Sequence, residues 1–65
     1  MKNKIEMAME FLDNAASEGI GGFVVSLSGT MTITDVERYR EYIENSGFHC
    51  SYTRQKDETN FGIWL

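Results

Sequence analysis

One cysteine, Cys50, and one histidine, His49, are all that the chain offers as soft ligands or cross-links. Neither an internal disulfide nor a structural zinc site can therefore staple it. At 65 residues it has room for a single domain spanning 1–65, whose core supplies about 3–5 kcal/mol of net stability. Stability has to come from a well-patterned core, from self-association or from a partner. Long apolar runs are missing as well: Glu6, Glu10 and Asp13 interrupt the apolar residues near the start. No signal-peptide core or membrane span is expected, and the expected location is the cytoplasm. Basic residues are scarce, six Lys and Arg against ten Asp and Glu, for a net charge of −4. That balance opposes phosphate neutralisation and disfavours direct nucleic-acid binding.

What is present is patterned. Between Lys2 and Glu18 the residues Ile5, Ala8, Met9, Phe11, Leu12, Ala15 and Ala16 recur at steps of three and four, the stripe of an amphipathic helix. Gly19 suits the left-handed position after its C-cap, with Ile20 folding back on Ala15. The stretch Phe23 to Ile33 is rich in β-branched and apolar residues, broken by Ser28-Gly29, and reads as a tight hairpin. Thr34-Asp35-Val36-Glu37 fits a capping box and places a second helix from Asp35. Val36, Tyr39 and Ile43 form its inward stripe, with Tyr42 flanking, and Gly47 stops it so that Phe48 packs back on Ile43. Phe48, Cys50 and Tyr52 then alternate with His49, Ser51 and Thr53. After a polar turn from Gln55 to Asn60, Phe61, Ile63 and Leu65 alternate with Gly62 and Trp64, giving a second hairpin.

The expected fold is α+β, a two-layer αββαββ arrangement with both helices on one face of a four-stranded antiparallel sheet. Its connectivity resembles a circular permutation of the ferredoxin-like fold, which implies the strand order third, fourth, second, first. The alternative treats Thr30 to Thr34 as loop and leaves αβαββ with three strands. The expected inner face holds Phe23, Val25, Leu27, Met31, Ile33, Phe48, Cys50, Tyr52, Phe61, Ile63 and Leu65. Val24, Ser26, Thr30, Thr32, His49, Ser51, Thr53 and Trp64 fall on the opposite face, which no remaining element covers.

That uncovered face is the first candidate binding surface, because tryptophan is enriched among residues that anchor interfaces. The second is the acidic helical side, including Glu37, Glu41 and Glu44, which suits a basic partner surface. Catalysis finds no support. His49 and Cys50 are neighbours on a strand and so face opposite sides of the sheet. Glu37 and Glu41 are spaced like an acid–base pair but lie on an exposed helix and are assigned no catalytic role. Gly19-Ile20-Gly21-Gly22 follows a helix and precedes a strand, the reverse of a phosphate loop. Arg54 and Lys56 in the hairpin tip are too few to recognise nucleic acid. No cofactor or metal is expected.

The expected function is a small, acidic, noncatalytic module that binds a protein or itself and regulates or inhibits a larger macromolecule. Its size and charge suit an accessory protein of a phage or mobile element, such as an inhibitor of host defence or of a DNA-binding protein. The alternative is a small-ligand sensor or carrier that uses the sheet face of a homodimer.

Overall fold

A computed structural model describes residues 3–29 and 31–65 of the chain. The elements run α1 (Lys4–Ser17), β1 (Gly22–Ser28), α2 (Ile33–Asn45), β2 (His49–Arg54) and β3 (Glu58–Trp64). The class is α+β, as the patterning implies, but the sheet has three strands in the order β1-β3-β2, with both pairings antiparallel. The four-stranded αββαββ layout and its permuted ferredoxin-like connectivity are therefore replaced by αβαββ. Thr30, assigned to the extra strand and to the uncovered face, lies outside the described residues.

The missing strand is a matter of where α2 begins. Thr32, not Thr34, is its N-cap: the Thr32 hydroxyl oxygen accepts from the Asp35 amide at 3.1 Å, and the first helical turn closes with the Val36 amide on the Thr32 carbonyl at 3.0 Å. Met31, just before the cap, is buried in the same cluster as Val36. An apolar residue before the cap and another four positions into the helix form a hydrophobic staple, which fixes the entry angle of the chain. A cap at Thr34 would put Ile33 and Arg38 in those two places and lose the contact. Ile33, expected in the core, is consequently the first helical residue and half exposed.

Asn3 caps α1 in the same way, accepting from the Glu6 amide at 2.9 Å. Both helices end on the same glycine device. Gly19 and Gly47 take φ of 74° and 89°, a conformation that costs other residues roughly 1–2 kcal/mol. The amides of Ile20 and Phe48 then reach back to the carbonyls of Ala15 and Ile43, at 3.0 and 3.2 Å. This closes each helix and aims the chain into the next strand.

β3 is the central strand, flanked by β1 and β2. Its Phe61 and Ile63 point toward the helices and are almost fully buried, beside Leu12, Val36, Tyr39 and Ile43. Each such side chain taken out of water contributes about 1.5–3 kcal/mol. Tyr39 is the pivot of the layers. Its ring meets Phe61 edge-on with centroids 4.9 Å apart, and its hydroxyl donates to the Ala8 carbonyl of α1 at 2.9 Å. Leu65, expected inside, lies past the end of β3 and is exposed, and Tyr52 is at the rim, leaning on Phe61. β3 also starts earlier than the expected turn allowed, so that Thr59 is a buried core position.

Candidate functional site

The register of the sheet decides which residues share its outer face. Gly22, Trp64 and His49 lie abreast across the three strands; Val24, Gly62 and Ser51 form the next row, and Ser26, Asn60 and Thr53 the third. Five sequence candidates are thus brought together: Val24, His49, Ser51, Thr53 and Trp64. Thr32 is not among them, since its side chain is occupied as the α2 cap. Asn60, assigned to the turn, belongs to the face, because the strand extends through it.

This face is almost uncharged. In the outward-facing rows Glu58, opposite Ser28, is the sole acidic residue and none is Lys or Arg, in a chain where a quarter of the residues are charged. Trp64 remains 44% exposed and Val24 66%. The Trp64 indole and the His49 imidazole lie side by side, centroids 6.2 Å apart and planes 33° from parallel. Gly62 has no side chain between Val24 and Ser51, so the centre of the face is a shelf bordered by Trp64. A methyl group there would meet the Ser51 hydroxyl at 3.5 Å, an ordinary contact, so the shelf is shallow.

The chemistry on the two sides of the sheet is separate. Cys50 faces inward, half-buried against the core, while His49 is exposed on the outer side. Burial pushes the Cys50 thiol up from its ordinary value, with nearby Glu44 adding to the effect. It is therefore held in the protonated, poorly nucleophilic form. Among the described residues no group of three or more His, Cys, Asp and Glu side chains is arranged to hold a metal ion.

The acidic candidates lie on α2. Arg40 bridges two of them, approaching Glu37 at 3.2 Å and Glu44 at 3.8 Å, which damps the local negative field. Glu41 is exposed. On α1, Asp13 accepts from the Tyr42 hydroxyl with both oxygens, at 2.7 and 2.9 Å. That bond raises the Tyr42 hydroxyl above its ordinary range and ties the helices together.

Sequence reasoning missed one surface. Phe11, expected on the inward stripe of α1, is 51% exposed, and Met7 one turn before it is 58% exposed. The buried stripe is Ile5, Ala8, Leu12 and Ala15. At 100° per residue Met7 and Phe11 fall a quarter-turn or so to its side, a separation the sequence does contain.

No protein-family model, curated protein or solved structure matches this chain.

No helix of the described residues is long and apolar enough to cross a membrane.

Proposed function

We propose that this domain is a noncatalytic protein-binding module that presents the outer face of its sheet to a larger macromolecule and regulates or inhibits it. The observation that carries this reading is the presence of exposed Trp64 and Val24 in adjacent rows of one face with almost no charge. Interface cores are depleted in charge and enriched in aromatic side chains, and sheet faces pack against a second layer about 10 Å away. The face has no such layer among the described residues. The acidic side of α2 is the weaker candidate, because Arg40 already satisfies part of its charge. A cytoplasmic inhibitor of the phage or mobile-element type fits the net negative charge of the chain.

The test is capture by immobilised protein from the native cell, with variants on each surface. Wild type and Glu41→Lys are expected to retain one partner in stoichiometric amount, and Trp64→Ser with Val24→Lys to lose it. Equal retention by the sheet-face variant, with loss on Glu41→Lys, would move the site to the helical side and refute the proposal.

A further inference from the structure

α1 has α2 on one flank, held there by the Asp13–Tyr42 hydrogen bond. Its opposite flank carries Lys4, Met7, Phe11, Asn14 and Glu18, spaced by three, four, three and four residues and all exposed. This is the spacing of a seam between paired helices. The seam is apolar in the middle, basic at one end and acidic at the other. Beside Phe11 the surface is indented by a hollow of about 180 Å³, bordered by Phe11, Ala15, Ile20 and Phe23.

Such a stripe is complementary to its own reverse. We propose that this flank of α1 is the contact surface for a second copy of the chain, packed antiparallel about a two-fold axis at Phe11. Reversal about that axis sets Met7 of each copy over the other's hollow, where Ala15, itself buried, is the one small lining residue. It also sets Lys4 of each copy opposite the other's Glu18, so the two charged ends meet as opposite pairs. Lys4 already donates to the Ser28 carbonyl at the open edge of β1. An ammonium group has three protons to offer, so it can bridge Ser28 and the second copy's Glu18 together. Charge of one sign along the seam would have favoured a foreign partner. The reversal of sign between its ends favours a second copy. The contact lies beside the edge of β1, where Met7 and Phe11 share a hollow with Val24 and Ser26, and does not include Trp64, so the dimer would display two Trp64 shelves and bind a repeated or dimeric target with avidity.

Sedimentation velocity of the full chain over a wide concentration range tests this. Wild type is expected to show a monomer–dimer equilibrium. Met7→Lys, a change at an exposed position, should be monomeric with an unchanged thermal melt. Glu18→Lys places a cation at the C-terminal end of α1, which favours the helix, so a weaker dimer in this variant cannot be ascribed to unfolding. Its dissociation constant should rise about threefold or more, and Lys4→Glu combined with Glu18→Lys should restore it. A wild type that stays monomeric at millimolar concentration overturns the proposal. So does a dimer that survives Met7→Lys, or one that is lost on Trp64→Lys, which would put self-association on the sheet face. Partner capture through the sheet face is read separately, so either idea can fail alone.

Discussion

Thr59 shows how a single atom can be out of step with its surroundings. Its side chain points inward between Leu27 and Arg54 on the neighbouring strands and is fully buried. Its hydroxyl oxygen has no hydrogen-bond partner. A buried hydroxyl without a partner forfeits its bonds to water, at about 1–3 kcal/mol. Thr59→Val keeps the branched shape and removes the orphan. We expect it to raise stability by about 1 kcal/mol, seen as a higher urea midpoint with an unchanged slope. A lower midpoint would mean that the hydroxyl has a partner in solution. This position was hidden in the sequence because Thr59 sits in a polar run, Gln55 to Asn60, whose composition reads as turn. Pairing with β1 and β2 overrides that composition and extends the strand.

At the scale of the element, α2 is capped by Thr32, although the Thr34-Asp35-Val36-Glu37 box lies two residues further on. Local chemistry does not separate them, and the buried Met31–Val36 pair does. Thr32→Ala should cost about 1 kcal/mol, whereas Thr34→Ala should stay within about 0.5 kcal/mol, as exposed substitutions do. Urea denaturation of the two variants distinguishes them, and the reverse order would restore the longer hairpin. Met31 and Ile33, expected on one strand face, are instead a staple residue and, after the Thr32 cap, the first residue of a helix. By contrast, the glycine stops after both helices were legible. Gly19 and Gly47 stand at the ends of clear periodic stretches, and only a left-handed residue closes a helix in that way.

Across the whole molecule, the inward positions that were legible are those fixed by period alone: Leu12, Val36, Tyr39, Ile43, Phe61 and Ile63 all lie in one cluster. The outer-face candidates Val24, His49, Ser51, Thr53 and Trp64 were legible for the same reason, since strand residues alternate strictly. The Met7–Phe11 flank was not, because a flank becomes conspicuous only when the neighbouring helix is known to lie on the other side. Tyr39 links these layers, and burial raises its hydroxyl well above its ordinary value of 10.0. The neutral phenol is therefore favoured in the folded state. The stability this provides is complete below pH 10.0 and is lost progressively as pH rises above it toward the folded-state value. Tyr39→Phe should lose about 1 kcal/mol at neutral pH with the Ala8 hydrogen bond and should flatten the alkaline decline in chemical-denaturation stability. An equally steep decline in the variant would place the responsible group elsewhere.

The position of β3 also governs how the chain can assemble. β1 and β2 make no ladder with each other, and both wait for the last strand in chain order. β2 meets it through a short local turn, whereas β1 must close a loop that contains all of α2. Closing that loop costs entropy before any contact across it is gained. The hairpin of β2 and β3 is thus the natural nucleus, and docking of β1 the slower, committing event. A fragment lacking β3 would contain both helices and two of the three strands yet no ladder between them.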